Sequence, residues 1–265
     1  MSTKGAAQRP GKWGDLGPRV LSGIAMIAVG AFALWMGGYV FAALGVLIAG
    51  LMTWELVSMI RPGHGRAAIQ EGLVAAAALA VSLYVPGSIA AILLGILLIV
   101  LVGRTGRLPF LTAAYGAGIF LGAYGLVTLR NDGGMDLALW LIAVVIVTDI
   151  AGYFAGRIIG GPKFWPRVSP KKTWSGTVAG WVAALAVSYW LYTSFLYPDW
   201  ILWAAVPLSF ASQLGDAAES AIKRKTGVKD SSSLIPGHGG VMDRFDGMIG
   251  ASLVLTVAGA LAALA

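Results

Sequence analysis

The chain has no cysteine among its 265 residues. That absence excludes disulfides, thiolate catalysis and cysteine-ligated zinc. Charged residues are scarce, at 12%, about half the share usual in soluble domains. There are only two histidines and twelve carboxylates. No small-residue cleavage site follows the polar stretch Met1–Gly17, so residues 1–18 read as a short cytoplasmic tail, not a signal peptide. No internal repeat is visible. What the chain has in excess is apolar residues, at 58%, more than one globule of this length can hide, so the bilayer must solvate most of them. The net charge of +7 does not point to nucleic acid. The cations form short clusters between apolar runs and do not line one solvated face.

Nine apolar stretches have about the length of a membrane helix: 19–36, 39–60, 69–85, 87–103, 109–129, 136–157, 175–196, 200–222 and 247–264. Residues 72–103 form one run split only by Pro86-Gly87, and a single helix there would far exceed the ~30 Å hydrocarbon core. The expectation is an all-α, polytopic membrane bundle of about nine spans. With the N-terminus inside, the inner segments collect Lys4, Arg9, Lys12 and Arg19; Arg61 and Arg66; and Arg104 and Arg107. They also hold Arg157, Lys163, Arg167, Lys171 and Lys172, then Lys223, Arg224, Lys225, Lys229 and Arg244. Of the 19 basic residues only Arg130 falls outside. Cationic loops stay in the cytoplasm, so the C-terminus is expected outside. Eight spans would put Arg61/Arg66 and Arg104/Arg107 on opposite faces.

The N-terminal spans, 19–130, read as scaffold. Spacings such as Gly38…Gly45…Gly50 allow close helix packing, and Glu55 needs a partner or a wet cavity. The polar chemistry gathers in 131–265. Span six ends Asp149-Ile-Ala-Gly-Tyr153-Phe-Ala-Gly156-Arg157, with Asp149, Tyr153 and Gly156 on one helical face. An acid inside the membrane boundary pairs with a neighbour or faces an aqueous cavity. Ser169-Pro-Lys171-Lys172-Thr173-Trp-Ser175-Gly176 supplies N-cap types at a helix start suited to anions. By itself a Lys-Lys pair there reads as a plain positive-inside anchor. Span eight delivers Asp216, Glu219, Ser220 and Lys223 on one stripe. Glu219 and Lys223 can pair on a solvated end, whereas Asp216 has no such local cationic partner and is the stronger candidate metal ligand. The last polar stretch runs from Ser220 through Lys229-Asp230 and Gly237-His238-Gly239-Gly240 to Asp243-Arg244-Phe-Asp246. Its glycines permit close approach to phosphate oxygens. Asp243 and Asp246 either complement a helix dipole or, with Asp216, hold Mg²⁺.

The order Ser220, Lys223-Arg224, Lys229-Asp230, His238-Gly239-Gly240, Asp243-Arg244 and Asp246 resembles the signature of the phosphatidate cytidylyltransferases (CDP-diacylglycerol synthases). The segments 149–157 and 169–176 are similar to two further motifs of that family, although Ser175 stands where relatives often carry an acid. The resemblance covers the region from Asp149 to Gly247, with motifs at 149–157, 169–176 and 215–247. It implies the reaction CTP + phosphatidate → CDP-diacylglycerol + diphosphate, at a cytoplasmic-face active site in a bacterial-type inner membrane. On this resemblance Asp216, Lys223, Arg224, His238, Asp243 and Asp246 are the expected catalytic set, with Asp216, Asp243 and Asp246 on Mg²⁺ or Mn²⁺ and room for a second cation. Asp149, Tyr153, Ser169, Lys171, Lys172, Thr173, Ser220, Lys229, Asp230, Gly239, Gly240 and Arg244 are the expected substrate contacts. CTP and phosphatidate are the implied partners, without nucleic acid, and a homodimer is compatible. A related CTP-dependent enzyme with another lipid phosphate, a lipid kinase and an anionic-solute transporter stay open as alternatives.

Overall fold

A computed structural model describes residues 16–195 and 197–263. The expected tail, with Lys4, Arg9 and Lys12, therefore lies outside the described residues except at 16–18. Among these described residues nine helices follow in chain order: α1 (Leu16–Met36), α2 (Gly38–Ile60), α3 (Gly65–Ser82), α4 (Gly87–Thr105), α5 (Pro109–Asp132), α6 (Gly134–Ile158), α7 (Trp174–Phe195), α8 (Trp200–Thr226) and α9 (Met242–Ala262). Pro86 immediately precedes α4, where its fixed φ and missing N–H suit a helix start, so the run 72–103 is two helices, as its length requires. Seven of the nine are long and apolar enough to cross a membrane: α1, α2, α4, α5, α6, α7 and α9. The chain is a multi-pass membrane helix bundle. α3 and α8 fall below that measure because α3 carries Arg66, Gln70 and Glu71, and α8 interrupts its apolar run with Ser209, Ser212, Gln213, Asp216 and Glu219. Both nevertheless pack inside the bundle, α3 between α2 and α4, and α8 against α7 and α9.

One departure from the all-α expectation is local. The segment between α6 and α7 folds into an antiparallel hairpin, β1 (Lys163–Trp165) and β2 (Ser169–Thr173). Phe164 anchors it, edge-on to Trp174 with centroids 4.8 Å apart and packed over Phe210. The aromatic underside thus fixes where the lysines of β2 stand. A second difference is that α9 begins at Met242, several residues before the apolar stretch does. Asp243 and Asp246 consequently lie within its first turns.

Arginines tie the helix junctions at both ends of the bundle. Arg61 and Arg107 reach across the α2–α3 and α4–α5 junctions to the carbonyls of Arg104 and Ile60, and Arg104 pairs with Glu71 at 2.7 Å. At the opposite end Arg130 binds the carbonyls of Leu34 and Trp35 near the end of α1. Of the small residues, Gly45 and Gly50 meet Val127 and Gly72, whereas Gly38 faces open space and serves a turn with φ of +50°. The packing does not isolate a scaffold half. The largest buried cluster joins Met52, Leu56, Leu79 and Phe120 to Ile222, Val241, Met242 and Ile249, so the N-terminal helices and the polar C-terminal segments share one core.

Candidate active site

The helices that carry the polar motifs converge on one cavity of about 660 Å³, within the roughly 300–1,000 Å³ of small-molecule sites. α6 contributes Asp149, Tyr153 and Arg157; β2 contributes Lys171, Lys172 and Thr173; α8 contributes Gln213, Asp216, Glu219 and Lys223; and the last segment contributes Asp230, Asp243, Arg244 and Asp246. Local sequence explains the approach of these elements. Gly152 and Gly176 put α6 and α7 in backbone contact, and a Cβ on Gly215 would overlap the carbonyl of Asp246. With no side chain between them, α8 and α9 bring Asp216 and Asp246 together. Thr173 accepts the Gly176 N–H at 3.2 Å and caps α7, the role its residue type suggested. Its hydroxyl also meets that of Ser175 at 3.0 Å, and Ser175 donates to the Gly160 carbonyl. Ser175 therefore tethers the hairpin and does not replace an acid in the cavity.

The acids divide into two kinds. Asp216, Glu219 and Asp246 each offer an oxygen within 4.8 Å of the other two. Glu219 is 1% exposed, and its Oε1 has no hydrogen-bond partner. A buried polar atom without a partner is costly, and three oxygens converging on one point suit a hard divalent cation. Asp243 belongs to the other kind. Its Oδ1 receives Lys223 Nζ at 2.7 Å, and its Oδ2 accepts the N–H groups of Ser231 at 2.9 Å and Gly240 at 2.7 Å, as well as the Ser231 hydroxyl. The expected ligand set of Asp216, Asp243 and Asp246 thus meets a different geometry: Glu219 stands where Asp243 was expected. An i,i+3 spacing read from sequence cannot say which carboxylate spends its oxygens on neighbouring N–H groups.

Two lysines border the trio. Lys172 pairs with Asp216 and donates to the Gln213 carbonyl at 3.1 Å, so Asp216 does have a cationic partner, from another element. Lys223 bridges Glu219, at 2.8 Å, and Asp243. The Glu219–Lys223 pair expected on a solvated helix end is in fact buried. Ser220 donates to Asp216 at 3.3 Å, supporting the carboxylate from outside the cavity lining. Arg157 donates to the Tyr153 hydroxyl at 2.7 Å, and both line the cavity.

Several expected residues stand elsewhere. Arg224 is exposed on the flank of α8 away from Lys223, because adjacent helical residues point about 100° apart. Lys229 is exposed on the loop, and Ser169 pairs with Trp165 in the hairpin. His238 does not line the cavity; its Nδ1 meets the hydroxyl of Ser22 at 2.8 Å, which ties the loop to α1. Arg244, which does line the cavity, donates to the carbonyl of His238 at 3.0 and 2.7 Å. Gly239 and Gly240 act through the backbone. Gly239 holds φ at +84° beside Asp243, and Gly240 supplies an N–H to it.

Sequence reading left Gln213 without a role. Its amide accepts from the Trp181 indole at 3.2 Å and donates to the Thr177 carbonyl at 3.2 Å, locking α7 to α8 under the cavity. Its position three residues before Asp216 on the same stripe was the available signal. Sequence alone marks Glu55 only as an acid needing a partner. It lies fully buried in α2, with Ser231, Ser232 and the amides of Val241 and Met242 around it.

The family model described as the cytidylyltransferase family matches residues 17–261. A protein named phosphatidate cytidylyltransferase from Brucella suis biovar 1 (strain 1330) is 47% identical over 152 residues, 55% of this chain and 56% of that protein. Proteins of the same name from Staphylococcus saprophyticus and Bacillus subtilis (strain 168) are 39% identical over 147 residues and 37% over 140. The matched stretches span about half the length of these relatives, 52–56% of each. Because the family match runs from the start of α1 to the end of α9 and includes every element that builds the cavity, the chain belongs to the cytidylyltransferase family.

Proposed function

We propose that this chain transfers the cytidylyl group of CTP to phosphatidate, releasing diphosphate and forming CDP-diacylglycerol. One observation carries the reading: a cavity at the cation-rich end of a membrane bundle in which Asp216, Glu219 and Asp246 converge between Lys172 and Lys223. The name that these relatives carry supports the choice of substrates. In the proposed step a phosphate oxygen of phosphatidate forms a bond to the α-phosphorus of CTP. The bond from that phosphorus to the bridging oxygen of the β-phosphate breaks, and diphosphate leaves with the electron pair. The lipid phosphate is already ionised, so no protein nucleophile or general base is needed, and catalysis reduces to positioning and charge neutralisation.

The residues divide that work by reach. Asp216, Glu219 and Asp246 fit Mg²⁺ or Mn²⁺ by donor type and by the unpartnered Glu219 oxygen. When bound, the ion supplies positive charge to the phosphates. Lys223 holds the two acid groups in one orientation and faces the reacting phosphate. Lys171, Lys172 and Arg244 line the cavity and counter the remaining anionic oxygens. Asp149 sits with Tyr153 and Arg157 on the α6 wall, where the guanidinium of Arg157, held by Tyr153, meets a lipid phosphate arriving from the bilayer. The site end is assigned to the cytoplasm on its cations.

Purified protein in detergent, given labelled CTP and a panel of lipid phosphates, should form the CDP-lipid from phosphatidate in preference to the others, and excess EDTA should abolish it. Full turnover in EDTA would remove the metal from the reading, and transfer only to another lipid phosphate would change the acceptor. Sidedness is checked with single cysteines at Ser194 and Ser233, both exposed. An impermeant reagent outside should label the first and spare the second.

A further inference from the structure

Glu55 and Glu71 are buried acids outside the cavity. Glu71 pairs with Arg104, whereas among the described residues Glu55 has no cationic partner and both its oxygens are committed to neutral donors. Oε1 accepts from the Ser232 hydroxyl at 2.6 Å and the Val241 N–H at 2.9 Å. Oε2 accepts from the Ser231 hydroxyl at 3.1 Å and the Met242 N–H at 2.7 Å. These amides belong to the N-terminus of α9, whose own N-cap residue, Val241, has no side chain able to cap it. The first N–H groups of a helix need an acceptor and favour negative charge. Here α2 supplies it from far away in the sequence.

We propose that Glu55 is a positioning residue for the cytidylyl-transfer site: it sets where α9 begins and, through that, where Asp243 and Asp246 stand. The link to Asp243 is direct. The Ser231 hydroxyl lies within hydrogen-bond distance of both Glu55 Oε2 and Asp243 Oδ2, and the Ser231 N–H donates to Asp243 as well. Asp246 follows one turn later, so a slip of the first turn of α9 moves its carboxylate off the trio. The arrangement closes only with glycine at 240, since a Cβ there would collide with the Ser231 hydroxyl and with Glu55 Oε1. This inference rests on the reading of the cavity proposed above.

The chemistry makes an unusual prediction. In Glu55→Gln the shape is kept, yet whichever way the amide turns, its NH₂ faces a backbone N–H. Glu55→Asp is shorter but keeps two charged acceptor oxygens. If Glu55 merely filled space, Gln would be the milder change; if it positions α9, Asp is. We expect Glu55→Gln to lower kcat by about tenfold or more with a change in the KM for CTP of less than about threefold, and Glu55→Asp to recover part of the loss. Hydrogen exchange of the purified protein in detergent should quicken at 231–246 in Glu55→Gln while α4 and α6 keep wild-type protection. Gly240→Ala attacks the same contact from the other side, with the same exchange signature expected, and serves if Glu55→Gln does not fold. Wild-type kcat in Glu55→Gln, Gln milder than Asp, or exchange quickened evenly across the bundle would overturn the proposal. A wild-type protein that makes no CDP-lipid would sink the reading of the cavity alone. The exchange arm would still decide for Glu55 if quickening is confined to 231–246, and against it otherwise.

Discussion

Two groups of acids sit within a few turns of each other and have opposite fates. Asp216, Glu219 and Asp246 leave oxygens pointing at a shared space. Glu55 gives both of its oxygens, and Asp243 one, to N–H and O–H groups of the segment 231–242, and Lys223 takes the other oxygen of Asp243. The difference teaches how a membrane protein keeps carboxylates beneath a polar surface. One group is satisfied by the fold itself and holds it in register. The other crowds three carboxylates together and leaves Glu219 Oε1 without a partner, a cost that a ligand bringing positive charge offsets.

The comparison breaks most plainly at the trio. Asp216→Asn or Asp246→Asn should lower kcat by about 10³-fold, the scale of losing a charge contact made in a desolvated site. Thermal unfolding in detergent should stay near wild type, because each change relieves like-charge crowding, which for Asp216→Asn offsets the lost Lys172 pair. Loss of stability with turnover intact would move these acids into the structural group.

Asp243→Asn should behave differently, lowering both quantities. An amide at 243 presents its NH₂ either to the Lys223 ammonium or to the donors of Ser231 and Gly240. Breaking so buried a pair costs about 3 kcal/mol, which equilibrium unfolding would read beside the turnover assay. A variant as stable as wild type would erase the distinction between the groups.

Lys223 and Arg224 sharpen it further. Lys223 joins the two acid groups, with its side chain 17% exposed, and Lys223→Ala should cost about tenfold to hundredfold in kcat. Arg224 is exposed, and Arg224→Ala should stay within about twofold of wild type. Equal losses would return Arg224 to the cavity, where sequence reading had put it.

The smallest effect is expected at the far end. Arg130 donates to the Leu34 and Trp35 carbonyls, so Arg130→Ala should cost about 1–2 kcal/mol of stability and leave kcat unchanged. A change in kcat would mean that the two ends of the bundle communicate.

Sequence alone determined the class of the protein. Apolar run length, the Pro86 break and the clustering of cations require a polytopic helix bundle with a polar end, because solvation by lipid leaves few other arrangements. It also marked Asp149, Lys172, Asp216, Lys223, Asp243 and Asp246, all of which line one cavity, since polar residues in or beside an oily run have to be somewhere useful. Only the tertiary structure decided how the roles are shared. It exchanged Asp243 for Glu219 in the converging trio, turned Arg224 outward, tied His238 to Ser22 and gave Glu55 the N-terminus of α9. The physical reason is that membership of a site is a matter of periodicity and burial, which are local along the chain. The fate of each oxygen instead depends on which N–H groups another helix brings within 3 Å, and nothing in the linear order of residues 55 and 241 records that they meet.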